Sequence, residues 1–330
     1  MSRFNRRLRL GYACIQTDLR LYDVYTSRDV TLARLTSQGM SYVESLVLSN
    51  LSDLLTTLIS NEAQGIRLFR ISSNLLPHYG NSALEQPFYS LEFAKRKLAT
   101  IGKYITDHGH TVSMHPGQYV QLASPDPKVV QDSIRELQAH AIVFEMMKVD
   151  GVIILHGGGT YGDREAALVR WESTFMELPD GLRNRIVLEN DENGYNPDDL
   201  LPFCERLGIP FCFDLFHNRV SYRRVDVTLP MLRRMVATWG TRTPKIHYSE
   251  QDQQKRRGAH SKSVSDLPLY VLLMPRLLSS PIDVMLEVKD KQESTLRLYQ
   301  RYFTVQLTDG RIDYVLNERV VSELVEQADR

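Results

Sequence analysis

An eight-stranded α/β barrel is the fold this chain predicts, on three observations. Short apolar runs rich in β-branched residues alternate with longer stretches of helical period. Glycines stand where helices should hand over to strands, at Gly65, Gly109, Gly151 and Gly208. The strand-like runs also end in polar side chains able to bind metals, and the C-terminal strand ends are where such a barrel carries its active site. Alternation alone would leave a doubly wound open sheet as the alternative; the strand ends decide for the barrel.

In chain order, strands are expected over 8–15, 66–72, 111–115, 152–156, 186–189, 211–214, 245–247 and 283–288. Helical stretches fill the gaps at 51–64, 91–107, 129–148, 164–176, 197–207, 229–239, 267–278 and 294–302. No Pro-, Gly- or Ser-rich linker divides the chain, and no internal repeat or low-complexity tract stands out. The reading is therefore one TIM-barrel domain over 1–330, with its core at about 8–303 and a C-terminal extension over 304–330.

Composition narrows the class. The 330 residues carry 40 Lys+Arg against 40 Asp+Glu, a net charge of zero, with 42% hydrophobic residues. That excludes a polyelectrolyte tail protein and an acidic disordered chain. Cys14, Cys204 and Cys212 form no C-x-x-C pair, so neither a disulfide framework nor a thiolate zinc site is expected. They read as small buried hydrophobes in a reducing compartment. No apolar stretch approaches the ~20 residues of a membrane helix, and no signal-type core follows the basic N-terminus. A soluble, cytoplasmic protein with no membrane partner is expected.

The strand ends carry the chemistry. They read Ser72-Ser73, His115, His156, Glu189, Asp214, His247 and Glu287. The last six stand 41, 33, 25, 33 and 40 residues apart, each step about one βα unit. A lone strand-end histidine is usually a hydrogen-bonded rim residue, but a succession on consecutive units converges on one point. Imidazole and carboxylate without thiolate suit Zn, Mn, Fe or Co. His115, His156 and Glu189 would hold one ion, and Asp214, His247 and Glu287 a second, with Glu189 bridging. His217, three residues past Asp214, and His260, in the loop after the seventh strand, would serve a third. Two or three ions about 3.5–4 Å apart are the usual device for phosphodiester cleavage, clamping both the attacking and the leaving oxygen. His78, His108, His110 and His140 lack this periodicity. The His156–Gly159 segment resembles an esterase oxyanion strand, but no G-x-S-x-G elbow exists, and no Gly-Lys-Ser/Thr makes it a P-loop.

These segments resemble the UV damage endonuclease family, which is related to the barrel-type apurinic endonucleases. The matching stretches are Arg70–Ser73 (RISS), His115–Tyr119 (HPGQY), Leu155–Gly162 (LHGGGTYG), Leu188–Asp191 (LEND), Phe213–His217 (FDLFH), Pro244–His247 (PKIH) and Met285–Lys289 (MLEVK). The resemblance implies a metal-dependent, ATP-independent endonuclease that nicks double-stranded DNA immediately 5′ of UV photoproducts, pyrimidine dimers and 6-4 photoproducts. It implies His115, His156, Glu189, Asp214, His217, His247, His260 and Glu287 as ligands of two or three divalent ions, Mn²⁺ first, with Zn²⁺, Co²⁺ or Mg²⁺ as the other candidates. It assigns Gln118 and Tyr119 to probing the lesion, where an aromatic and an amide can wedge into the stack. Tyr12 stands in a supporting position, and a monomer with no obligate protein partner follows.

Lys245, two residues before His247, shares its face of the strand. An amine there needs a carboxylate, a phosphate or carbamylation, and is read as a catalytic-site residue with Glu189 and Tyr12. Two positions depart from the family: Asn81 stands where a histidine is usual, with His78 nearby, and Gln16 where an asparagine of the lesion-probing set is expected. The alternatives are another metal-dependent barrel enzyme, such as an apurinic endonuclease or sugar isomerase, and a damage-binding protein without catalysis. Basic runs favour nucleic acid despite the zero total. Arg3, Arg6, Arg7 and Arg9 open the chain; residues 219–234 hold five arginines against Asp226, and residues 242–262 hold six cations against Glu250 and Asp252.

Overall fold

A computed structural model describes residues 7–328; Arg3 and Arg6 of the N-terminal basic run, and the last two residues of the C-terminal extension, lie outside the described residues. Eight parallel strands close a barrel in chain order: β1 (Leu8–Ala13), β2 (Leu68–Ile71), β3 (Thr111–Met114), β4 (Val152–His156), β5 (Ile186–Glu189), β6 (Phe211–Asp214), β7 (Lys245–Tyr248) and β8 (Ile282–Leu286). Between them run α1 (Leu32–Gln38), α2 (Met40–Ala63), α3 (Lys95–His108), α4 (Pro127–Met147), α5 (Arg164–Glu177), α6 (Asp180–Arg183), α7 (Pro197–Leu207), α8 (Leu215–Val220), α9 (Leu229–Thr238) and α10 (Leu269–Leu277), with α11 (Gln292–Tyr302) after β8. An antiparallel hairpin, β9 (Phe303–Thr308) and β10 (Arg311–Leu316), and α12 (Glu318–Ala328) complete the described chain.

The residues fall into two compact units. One holds the chain up to Ala13, Asn61–Phe69 and everything from Glu189 on; the other holds Cys14–Ser60 and Arg70–Leu188. In the first unit, β1 lies in register with β8, Arg9 opposite Asp283, and β7 with β8, Lys245 opposite Asp283. Three charged side chains therefore meet on neighbouring strands. Arg9 grips the fully buried Asp283 with two bonds of 2.8 and 3.1 Å, and Lys245 Nζ lies 3.3 Å from the same carboxylate. The Tyr299 hydroxyl donates to the Leu10 carbonyl and accepts from the Leu10 amide, while its ring stacks on Tyr314 of the hairpin at 3.9 Å. Arg67 ties the hairpin down through Glu62 and Asp313.

In the second unit the buried face of α2 repeats at helical spacing through Val43, Val47, Leu51, Leu54 and Leu58. Helix α3 meets the end of α4 at Gly102, where a Cβ would stand 1.7 Å from the Met147 carbonyl oxygen. Helix stops differ from expectation at one place. Gly109 and Gly208 are left-handed caps, but α4 is closed by Lys148 at φ 56. Gly151 instead gives room to the Phe144 ring, which a Cβ would meet at 2.3 Å. Among the described residues no helix is long and apolar enough to cross a membrane. Cys204 and Cys212 are buried and Cys14 half-buried.

Candidate metal centre

The first unit carries most of the strand-end ligands. Glu189 ends β5 and Asp214 ends β6, both fully buried. The Asn190 side chain fixes them side by side, donating to the Asp214 carbonyl and accepting from the Asp214 amide, each at 2.9 Å. Asp214 is also the N-cap of α8, accepting from the His217 amide at 2.7 Å. This cap turns the chain sharply after the strand and swings His217 back over it. His217 Nδ1 then lies 3.5 Å from Asp214 Oδ2 and 3.8 Å from Glu189 Oε1. From β7, His247 Nδ1 stands 2.8 Å from Glu189 Oε1 and 3.4 Å from Glu287 Oε1. Ligand atoms of Glu189, Asp214 and His217 lie within 4.8 Å of one another, and so do those of Glu189, His247 and Glu287. Glu189 is common to both groups, as a bridging carboxylate would be.

The donor set fits divalent cations on electrostatic grounds. His260 Nδ1 lies 3.1 Å from the Glu287 carbonyl, so it carries the proton and donates there. Its other nitrogen then turns a lone pair toward Glu287 Oε2 at 3.7 Å. Two acceptors facing each other ask for a cation between them. Asp214 Oδ2 is buried without a hydrogen bond among the described residues. Burial raises the Asp214 carboxyl to about 7, with Glu189 and Glu287 adding repulsion against a lowering by His217. Burial opposes the charged form of His217, yet Asp214, Glu189 and Glu287 carry it up to about 9. His247 is likewise raised, against burial, by the Cys212 sulfur, Glu189 and Glu287. Protons here occupy the place of positive charge that a metal would supply.

In the second unit His115 and His156, half-buried after β3 and at the end of β4, face each other with ring centroids 5.1 Å apart. His115 Nδ1 donates to the Pro116 carbonyl at 3.0 Å, leaving Nε2 as the ligand nitrogen. Gln118 and Tyr119 are exposed, Tyr119 by 64%. Gly117 lets the Tyr119 ring fold back on the backbone, where a Cβ would stand 2.3 Å from it. Gln121, which sequence reasoning missed, organises both loops. Its Oε1 accepts from the Gly159 amide at 2.6 Å and the Tyr161 hydroxyl at 3.3 Å, and its Nε2 donates to the Gln118 carbonyl at 2.8 Å. Gly158, at φ +85, makes room for that side chain.

The other expected site residues each have partners of their own. Gln16 is 3% exposed with its amide donating to the Ser60 hydroxyl at 2.9 Å. Tyr12 is fully buried, its hydroxyl donating to Asn61 at 2.6 Å and its ring edge-on to Phe69. Asn81 is half-buried and bonds His78 Nδ1 at 3.0 Å; His78 Nε2 contacts the Val30 carbonyl. That histidine is therefore held between its own loop and the segment before α1. Lys245 has found the carboxylate its amine required in Asp283, and lies 5.2 Å over the Trp239 ring. Burial lowers its pKa, aided by Arg9 and opposed by Asp283.

A closed α/β barrel with carboxylate–imidazole groups at its strand ends defines a class: barrel proteins whose strand ends could hold metal ions. Residues 8–314 match the UV-endonuclease UvdE family, and the chain belongs to that family. It is 48% identical over 318 residues to a provisionally named UV-damage endonuclease of Acanthamoeba polyphaga mimivirus, covering 94% of this chain and 96% of that protein. A UV-damage endonuclease of Schizosaccharomyces pombe is 34% identical over 90% of this chain, which spans 51% of the yeast protein. The crystal structure of SacUVDE superposes with a TM-score of 0.78 at 31% identity, over 88% of this chain and 96% of that one.

Proposed function

We propose that this protein is a metal-dependent, ATP-independent endonuclease of DNA repair. It nicks double-stranded DNA immediately 5′ of UV photoproducts, both pyrimidine dimers and 6-4 photoproducts, and leaves a 3′-hydroxyl and a 5′-phosphate. The observation that carries this reading is the buried pair of ligand groups sharing Glu189. Asp214 and His217 complete one and His247 and Glu287 the other, with His260 beside Glu287, while His115 and His156 pair after β3 and at the end of β4. Bound divalent ions, Mn²⁺ first among them, supply the positive charge that a phosphodiester's transition state needs. Glu189 would serve as a ligand in both groups, and His217 is kept in place by the Asn190 carbonyl and His247 by Glu189 and Glu287. Gln118 and Tyr119 probe the base stack.

Tyr12 and Gln16 enter only as buried support. Lys245, whose burial favours the neutral amine, can add one CO₂ with loss of a proton, and intact mass after gentle desalting reads that carbamate. The protein acts as a monomer, the segment after residue 303 being an appendage to one barrel domain. The test is irradiated against unirradiated plasmid in Mn²⁺, with and without chelator. Nicking of irradiated plasmid alone, abolished by chelator, is expected. Retarded mobility without nicking would make this a damage-binding protein, and no effect at all would point to a small-molecule barrel enzyme.

A further inference from the structure

The segments that follow His217 of α8 and precede His260 carry an exposed aromatic platform. Tyr222, five residues after His217, is 87% exposed. Its ring is covered on one side by the Arg257 guanidinium, 3.9 Å from the centroid, and Arg257 stands three residues before His260. Neither half is loose. Asn218, 3% exposed and next to His217, clasps Val225 through both its amide and its backbone carbonyl at 3.0 and 2.9 Å. The Asn196 amide holds the Arg223 carbonyl, and Arg223 is paired with both oxygens of Asp199. Across from it, the Gln251 side chain braces its loop by accepting from the Gly258 amide and donating to the Arg256 carbonyl. Arg257 then reaches over to donate to the Ser221 carbonyl at 3.0 Å.

The Arg257 contact stabilises one face of the ring modestly, but the other face is left to solvent. Burying an aromatic face is worth more than leaving it wet, so the arrangement is costly unless something covers the ring. Arg224 and Arg256, both exposed, flank the pair in sequence and have no ion-pair partner among the described residues. The ring also borders a cleft of about 110 Å³ lined by Asn193 and Asn196. The acids of that cleft are occupied: Asp191 accepts from the backbone of Asn193 and Tyr195, and Glu192 faces His217 at 3.8 Å.

We propose that Tyr222, backed by Arg257, is a stacking ledge for one nucleobase of the bound DNA, with Arg224 and Arg256 meeting the adjacent phosphates. An aromatic face accepts any base, so the ledge contributes grip rather than lesion choice. This deepens the proposed function and rests on it. Stacking of one base is worth about a tenfold change in affinity or more.

The test uses the full chain loaded with Mn²⁺. Tyr222→Ala should raise KM for irradiated duplex about tenfold with kcat within about twofold of wild type, while Tyr222→Phe and Tyr222→Trp keep wild-type KM. The indole of Tyr222→Trp, exposed where Trp171 and Trp239 are buried, should be quenched on adding duplex. Replacing Arg224 and Arg256 together by Ala should flatten the salt dependence of binding by about two in log–log slope. A wild-type KM in Tyr222→Ala, or Tyr222→Trp emission unmoved by saturating DNA, overturns the ledge. If the wild type nicks nothing yet Tyr222→Trp is quenched by DNA, the ledge stands and the endonuclease reading falls.

Discussion

At the scale of single residues, the site separates groups that hold charge from groups that hold shape. Glu189 belongs to the first kind: one buried carboxylate within reach of His247 at 2.8 Å and His217 at 3.8 Å, and a member of both ligand groups. Glu189→Gln keeps its volume and removes the bridging charge. Nicking of irradiated plasmid should fall by more than about a hundredfold, the scale of losing one preorganised electrostatic group, while gel-shift affinity for the same DNA stays within a few-fold. Nicking at wild-type rate would show that Glu189 bridges nothing. Gln121 belongs to the second kind. One amide serves Gly159, Tyr161 and Gln118, so Gln121→Leu leaves two donors and an acceptor without their partner. It should weaken damaged-DNA binding several-fold and leave metal uptake, followed by calorimetry with Mn²⁺, unchanged. An equal loss of both would mean that Gln121 supports the fold and not the loops. His156, Glu189 and Asp214 were legible as candidates because each closes a strand. Gln121, Asn190 and Cys212 were not, since their value lies in neighbours that sequence does not put beside them.

At the scale of elements, legibility followed burial. Strands β4, β5 and β6 begin and end where the apolar runs do, because a strand buried on both faces has no polar residue until the rim. Strand β3 stops at Met114, one residue early, where His115 turns into Pro116. Helix α2 starts eleven residues before its expected first turn. Ser45 and Ser49 there return their hydroxyls to backbone carbonyls of the preceding turn, so they sit in a helix without announcing one. Helix α8 is too short for any period, and only its Asp214 cap signals it. The hairpin of β9 and β10 was readable and missed: Asp309 and Gly310, at φ 51 and 75, form the Asp-Gly turn that two-residue hairpins favour. Tight packing of elements gives a further prediction. Gly→Ala inside a helix normally stabilises by about 1 kcal/mol, but at Gly102 the new methyl would overlap the Met147 carbonyl at 1.7 Å. Gly102→Ala should therefore destabilise by about 1–3 kcal/mol as α3 is forced off α4, seen as a lower denaturant midpoint. A rise in midpoint would show that the helices slide apart freely.

At the scale of the whole molecule, the balance of 40 cations and 40 anions hides a local excess of acid that the fold has buried. Glu189, Asp214 and Glu287 meet behind three histidines, and without metal their mutual repulsion is relieved by protons. Asp214 is raised to about 7, so its protonation favours the folded state, and that contribution fades as pH climbs from the ordinary carboxylate range through about 7. His217, raised to about 9, gives up its share between its ordinary value and about 9. The metal-free protein should thus lose stability as pH rises through the neutral range. Divalent ions act in the opposite sense: they replace the protons, so their apparent affinity grows as the protons leave. A ligand at a hundredfold excess over its Kd adds about 3 kcal/mol, and that excess is reached at lower concentration the higher the pH. The gap between Tm with Mn²⁺ and Tm with chelator should accordingly widen from about pH 6 to about pH 8.5 at fixed Mn²⁺. In Asp214→Asn, which keeps the cap oxygen and removes the titrating charge, the widening should shrink. A gap that is constant or narrows with pH in the unmodified chain would mean that the cluster is held by its own hydrogen bonds and has no vacancy for a cation.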